Sequence, residues 1–322
     1  MNGKEDVLSA ADFDRKYLER LFGLADKLEP YSGTRTPPDT SDPRYHEIRK
    51  IFAGHQLCSA FFGEGNSSAS TRTKRSFELA MKRLGGGVIS FSEKGSSIEK
   101  GESKERTFRN LDSYCDLFII RDREEGSVAQ AASVLKKPVI NGGDGNNEHP
   151  TQWFLDAYSM QKFGLELDGL KIAFVGDLKG RVVNSNIKGL SHYRGVQVMG
   201  LYIPGCELPA DRWLKSSYQE ASMQNYVEAL NDFNPDVIYW CRVQKNLGNE
   251  GEYSISPGDI EKLPKKAVWM HPQPIPDKEL PPEFDMDRRA LWFKQASYGV
   301  PVRMALIANV LGYADNVEWL FK

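Results

Sequence analysis

The chain is poor in the residues that build metal centres, disulfide frameworks or membrane spans. Its 322 residues include only four cysteines and five histidines. Cys58, Cys115, Cys206 and Cys241 are widely separated and form no CxxC pair, which excludes a zinc ribbon or a disulfide scaffold and fits reduced thiols in a cytoplasmic protein. No apolar run approaches the roughly 20 residues that cross a bilayer. The opening stretch, MNGKEDVLSAADFDRKYLERLF, is charged and lacks a signal peptide's apolar core, so no membrane association is expected. Net charge is scarce too: 42 basic residues face 44 acidic ones. Without a global positive field, nucleic acid is not an expected partner, and any anion site must be local. The phosphate loop GxxxxGK[ST], the dinucleotide fingerprint GxGxxG and the nucleophile elbow GxSxG are all missing. No His/Cys/Asp spacing suggests a metal site. The sequence calls for neither a metal nor a cofactor.

What is present begins with SSASTRTKRSF, residues 67–77, immediately before the helical pattern ELAMKRLGG. One hydroxyl there is explained as a helix N-cap. Ser70, Thr71 and Thr73 around Arg72 are more than a cap needs, and Lys74 and Arg75 oppose the positive end of the helix dipole. A bound phosphate would complete the arrangement, accepting bonds from backbone N–H groups, hydroxyls and a forked guanidinium. A capped helix with solvated cations is the alternative.

The rest of the chain alternates short apolar runs with helical patterns. An amphipathic helix is expected from about Ala10 to Leu28, followed by the polar, proline-containing loop PYSGTRTPPDTSDPR. Strands are expected at QLCSAFF (56–62), GVISF (87–91), DLFIIR (116–121) and PVIN (138–141), with helices near 71–84, 103–113 and 126–135. A helix beginning near Pro150 leads to a second series: KIAFVG (171–176), VQVMGLY (196–202), DVIYWC (236–241) and AVWMH (267–271), again separated by helices. A final helix is expected from about Pro301 to Leu311. Such alternation predicts an α/β fold of two doubly wound parallel-sheet domains, with the active site in the cleft between them. Domain boundaries are expected at 1–149, completed by a C-terminal helix at about 299–322, and 150–298.

Ligands of open parallel sheets gather beyond the carboxyl ends of the strands. The residues that follow the predicted strands are SSASTRT, Arg121, the loop NGGDGNNEHPTQ with His149 and Gln152, DLKGR, RVQ and PQPIPD. Singly, each has an ordinary reading: Arg121 as a surface cation in RDREEG, His149 as the end of a turn, Arg181 and Arg242 as helix and loop cations, Lys100 in a solvated loop. Together they describe a site rich in fixed donors and poor in carboxylate bases, suited to transfer of an activated group from a phosphate leaving group.

In chain order the sequence carries STRT (70–73), KGE (100–102), Arg121, HPTQ (149–152), GDLKGR (176–181), RVQ (242–244) and HPxP (271–274). This set closely resembles the aspartate/ornithine carbamoyltransferase family, from roughly Gln56 to Gly312. RVQ and the proline of HPxP point to its aspartate branch, since the ornithine branch typically has a cysteine there. The resemblance implies that residues 1–149 bind carbamoyl phosphate and 150–298 bind L-aspartate. Ser70, Thr71, Arg72 and Thr73 would hold the phosphate. Arg121, His149 and Thr73 would face the carbamoyl oxygen, while Gln152 and the backbone at Pro272 and Gln273 would hold the carbamoyl NH2. Arg181, Arg242 and Gln244 would bind the two carboxylates of aspartate. Ser96 and Lys100 would reach into a neighbouring subunit's site, in a homotrimer that needs no metal. A regulatory or carbamoyl-phosphate-synthesising partner is left open.

Three loops depart from the family pattern. FFGEGNSSASTRT has about four extra residues, GDLKGR is one residue shorter than GDLKxGR, and HPQPIPD stands for HPLPR. They leave room for a different amine acceptor. A silent paralogue serving as a binding subunit is the third alternative.

Overall fold

The computed structural model describes residues 5–34, 36–62, 71–93, 96–212, 217–245, 248 and 250–322. Two compact units are present, Met1–Leu155 with Ser297–Lys322, and Asp156–Ala296.

The first unit is built on a four-stranded parallel sheet in the order β2-β1-β3-β4. Its strands are β1 (Gln56–Phe61), β2 (Gly87–Ser92), β3 (Leu117–Asp122) and β4 (Val139–Asp144). Strands β1, β3 and β4 are almost wholly buried, as expected of parallel strands covered on both faces. Crossover helices α3 (Thr71–Leu84), α4 (Lys104–Leu111) and α5 (Ser127–Val134) join them. Cys58, Phe118, Ile120 and Val139 pack with Phe108 of α4 and Val128 of α5 on one face. Helix α10 (Gly299–Val310) is mostly apolar and, with Arg303, nearly completely buried, packed on α3 and on α1 (Arg15–Ser32). The N-terminal segment continues the sheet: Val7 bridges Ile140, and Asp6 Oδ1 accepts the Val139 N–H at 2.8 Å.

The second unit holds a five-stranded parallel sheet, β7-β6-β5-β8-β9. It comprises β5 (Lys171–Gly176), β6 (Gln197–Tyr202), β7 (Tyr218–Ser222), β8 (Val237–Cys241) and β9 (Val268–Met270). Helices α7 (Arg181–Leu190), α8 (Tyr226–Phe233) and α9 (Trp292–Ser297) accompany it. Trp240, Trp269 and Phe284 form an aromatic cluster within its core. The division between the units falls inside α6 (Pro150–Lys162).

Several expected elements are corrected. The first helix begins at Arg15, because Asp14 is its N-cap and accepts the Tyr17 N–H at 2.8 Å. Ala10–Asp12 is a separate 3-10 turn. The proline-containing loop ends early in α2 (Pro43–Ile51), where Asp42 caps and Pro43 starts the helix. Strand β7 was not expected; its exposed residues lack the apolar signal, and pairing with β6 makes it a strand. Between β8 and β9, where a helix was expected, the described residues hold no α-helix and include the 3-10 turn Pro257–Lys262. The chain also has a last helix, α11 (Ala314–Trp319), beyond α10. Among the described residues, no helix is long and apolar enough to cross a membrane.

Candidate active site

In the first unit the candidate residues cluster at the carboxyl end of the sheet. Ser70 lies outside the described residues, and of Thr71 only the backbone, the first residue of α3, is described. Arg72 is exposed and Thr73 is buried on the first turn of that helix. The other cations of the motif have local roles. Arg75 pairs with Glu78 at 2.8 Å, and Lys74 Nζ lies 5.8 Å from the centre of the Phe61 ring.

Thr73 Oγ1 is 3.3 Å from His149 Nε2, which joins two motifs separated by 76 positions in sequence. On the other side of the ring, Thr151 Oγ1 is 3.3 Å from His149 Nδ1, so a hydroxyl faces each nitrogen. The ring is buried, and the Gln152 N–H closes a turn onto the His149 carbonyl at 2.9 Å. The chain entering this turn is anchored by two carboxylates. Asp144 accepts bonds from Gly126, Asn141, Asn147 and the Glu148 N–H. Glu148 accepts the Ser9 hydroxyl at 2.6 Å and the Ala10 N–H at 3.0 Å.

Arg121 is the penultimate residue of β3, not a residue after it. The β3–β4 register shifts between Ile120 and Asp122, so Gly142 and Gly143 bulge opposite Arg121. Bulges of this kind re-aim side chains beside functional sites. Arg121 Nη1 donates to the Gly142 carbonyl at 3.4 Å. Ser96 and Lys100 are on a turn that follows β2 in the chain. Ser96 Oγ donates to the Glu93 carbonyl at 2.6 Å, the Lys100 N–H donates to the Ser97 carbonyl at 3.1 Å, and the Lys100 side chain is exposed.

In the second unit, Asp177 organises the ends of two neighbouring strands. It follows β5 and accepts the Lys179 N–H at 3.1 Å and the Gln244 N–H at 2.9 Å. Gly180 is the residue before α7, and Arg181, buried, is its first residue. The Gln244 side chain crosses directly over Gly180, where a Cβ would stand 2.4 Å from Nε2. Arg242 leaves β8 half-buried. Burial lowers its pKa, opposed by the charges of Glu279 and Asp177. Glu279 Oε1 and Oε2 both lie 3.3 Å from the Val243 nitrogen and accept its N–H. Burial pushes the Glu279 carboxyl up to about 6, against the pull of that N–H and of Arg242.

His271, Pro272 and Gln273 follow β9. The Gln273 N–H donates to His271 Nδ1 at 2.7 Å, and its side-chain amide donates to the Trp292 carbonyl at 3.3 Å. Gln273 adopts φ 57°, in the left-handed region, before a cis bond to Pro274. A buried network holds this turn. The His271 N–H donates to Gln295 Oε1 at 3.0 Å, and Gln295 Nε2 donates to Asp156 at 2.6 Å. Asp156 also accepts Asn186 and Tyr239.

Thr73, Arg121, His149 and Gln152 therefore belong to the first unit, and Arg181, Arg242, Gln244, Pro272 and Gln273 to the second. Thr151, Asp177, Glu279 and Asp156 were not singled out from sequence. Thr151 and Asp177 stood inside quoted motifs, HPTQ and GDLKGR. Glu279 and Asp156 carried no signal, because their partners are distant in the chain. In the first unit the chemistry is that of neutral and cationic donors gathered at one sheet end. Such groups stabilise a developing oxyanion and a phosphate. The second unit offers two arginines and an amide, which suit a carboxylate ligand.

Comparison with known proteins identifies the family. Residues 5–162 match the family model of the aspartate/ornithine carbamoyltransferase carbamoyl-P binding domain, and residues 168–310 match that of the Asp/Orn binding domain. The aspartate carbamoyltransferase catalytic subunit of Pyrobaculum islandicum is 37% identical, the match covering 95% of this chain and 98% of that one. Among solved structures, aspartate transcarbamoylase from Trypanosoma cruzi in complex with carbamoyl phosphate and aspartate superposes with a TM-score of 0.79 at 29% identity, covering 95% of this chain and 96% of that one. The catalytic subunit of M. jannaschii aspartate transcarbamoylase gives a TM-score of 0.78 at 34% identity, with 95% and 98% covered. This chain belongs to the aspartate/ornithine carbamoyltransferase family.

Proposed function

We propose that this protein transfers the carbamoyl group of carbamoyl phosphate to the α-amino group of L-aspartate, yielding N-carbamoyl-L-aspartate and phosphate for pyrimidine synthesis. The observation that carries this reading is the Thr73–His149 contact at the sheet end where Arg121 also stands. It supports a carbonyl-polarising site built from motifs far apart in sequence.

In this reading residues 1–149, completed by about 299–322, bind carbamoyl phosphate, and residues 150–298 bind aspartate. Ser70, Thr71, Arg72 and Thr73 take the phosphate, helped by the free N–H groups at the start of α3. Thr73, Arg121 and His149 face the carbonyl oxygen, where negative charge grows. Gln152 and the backbone of Pro272 and Gln273 hold the carbamoyl NH2. Arg181, Arg242 and Gln244 orient the acceptor's carboxylates. The neutral amine attacks the carbonyl carbon, forming the C–N bond, and the bond to the phosphate oxygen breaks. The amine proton leaves with the phosphate, so no carboxylate base is required. Orientation and fixed donors supply the acceleration. The working form is a cytoplasmic homotrimer, with Ser96 and Lys100 donated to a neighbour's site.

The test is a ureido-product assay with carbamoyl phosphate and L-aspartate, run beside L-ornithine and other amines. Product with aspartate alone supports the proposal. Product only with another amine would reassign the acceptor, and the tie between the Gln273 amide and Trp292 would be the first place to look. Binding of carbamoyl phosphate without any product would leave a binding subunit.

A further inference from the structure

Strand β3 ends in Ile120, Arg121 and Asp122. Phe118 and Ile120 face the cluster that contains Phe62, Phe108 and Val128. Strand alternation therefore sends Asp122 to that apolar side and Arg121 to the opposite one. A carboxylate only 7% exposed on an apolar face must be paired. Lys104 Nζ donates to Asp122 Oδ2 at 2.6 Å and sits 4.9 Å from the centre of the Phe62 ring. The other oxygen, Oδ1, accepts the Arg123 N–H at 2.7 Å.

Lys104 is the first residue of α4, where the helix dipole disfavours a cation. Helix physics does not account for it; the bond to Asp122 does. The turn that carries Ser96 and Lys100 is built onto the same helix start. The Glu102 N–H donates to the Ser97 carbonyl at 3.0 Å, and Glu102 Oε2 accepts the Thr107 hydroxyl at 2.7 Å. One ion pair thus fastens the base of this turn to the residue next to Arg121.

We propose that Lys104 and Asp122 are positioning residues, which lock the Ser96–Lys100 turn to the end of β3 and so fix both where Arg121 stands in its own subunit's site and how Lys100 is presented to the neighbour's. The roles of Arg121 and Lys100 rest on the carbamoyl-transfer reading; the pin itself does not. That reading gives neither Lys104 nor Asp122 a contact with substrate.

The experiment uses the full chain with Lys104→Met, Lys104→Arg and the apolar double variant Lys104→Met/Asp122→Leu. Steady-state carbamoyl transfer and hydrogen exchange over 96–103 are read together. Lys104→Met should speed that exchange and lower kcat, each about tenfold, since small misplacements at a site have large kinetic effects. The acceptor KM should stay within about twofold, because the carbonyl-facing group is the one disturbed. Lys104→Arg should restore both readouts. The double variant leaves no unpaired charge, so it should fold even where Lys104→Met does not, while keeping the exchange and kcat defects. Wild-type exchange and kcat in the double variant, with only Tm altered, would make the pair purely structural and overturn the proposal. If the unmodified chain forms no ureido product with any amine, the functional reading fails. The exchange difference still decides the pin.

Discussion

Gly180→Ala separates the aspartate-side chemistry from the fold in one substitution. The backbone there is ordinary, with φ −63° and ψ 145°, so alanine meets no backbone strain. Its Cβ would stand 2.4 Å from Gln244 Nε2, against the roughly 3.5 Å of a comfortable contact, so the amide must retreat by about 1 Å. The fold should tolerate this. Alanine caps a helix less well than glycine by up to about 1 kcal/mol, while the less flexible unfolded chain returns about 0.4–1 kcal/mol. Tm should shift by only a few degrees.

The effect on catalysis should be larger. A hydrogen bond to a charged carboxylate contributes about 1.5–3 kcal/mol, so its loss lowers kcat/KM for aspartate roughly 10- to 100-fold. Carbamoyl phosphate binding, measured by calorimetry, should be unchanged. A double-mutant cycle with Gln244→Ala completes the test, since adding Gly180→Ala to that variant should cost almost nothing more. Unchanged kcat/KM in a folded Gly180→Ala protein would refute the assignment of Gln244 to the acceptor. Full additivity in the cycle would show that Gly180 acts by another route.

Arg121→Ala and His149→Ala should each lower kcat about 100- to 1,000-fold in folded protein, the effect of losing one donor to a developing oxyanion, and normal turnover in both would sink the carbonyl-site reading. For Glu279 the folded pKa of about 6 lies above the ordinary 4.5, because burial penalises the ionised carboxyl. The native state then holds more protons than the unfolded state between these values, so stability falls as pH rises through this window. Solvent screening at this half-buried group limits the effect to about 1 kcal/mol. Urea denaturation of Glu279→Gln should show a flatter pH dependence between about pH 4.5 and 6, and an identical slope in both proteins would refute the cause given.

Much of the fold was legible because parallel strands buried on both faces read as apolar runs. β5 appears at the residues expected, and β1, β6 and β8 within a residue or so of their expected ends. The misses share one cause, the lack of a local apolar pattern. β7 is a strand because β6 lies beside it, and α2 is marked by its cap and proline instead of an amphipathic stripe. Among its described residues the β8–β9 crossover has a 3-10 turn and no α-helix, which periodicity had no means to reveal.

The candidate residues divide in the same way. STRT, HPTQ, GDLKGR and RVQ were readable as strings, because spacing and residue type suffice to suggest an anion site beyond the strand ends. Sequence by itself thus determined the α/β class, the positions of most strands and the inventory of donors. Only the tertiary structure put Thr73 against His149, laid Gln244 over Gly180, set Glu279 against the Val243 N–H, and paired Lys104 with Asp122. The physical reason is that local pattern specifies which face of an element is buried. Hydrogen bonds and ion pairs between elements depend instead on sheet order and register, which bring together residues that are remote along the chain.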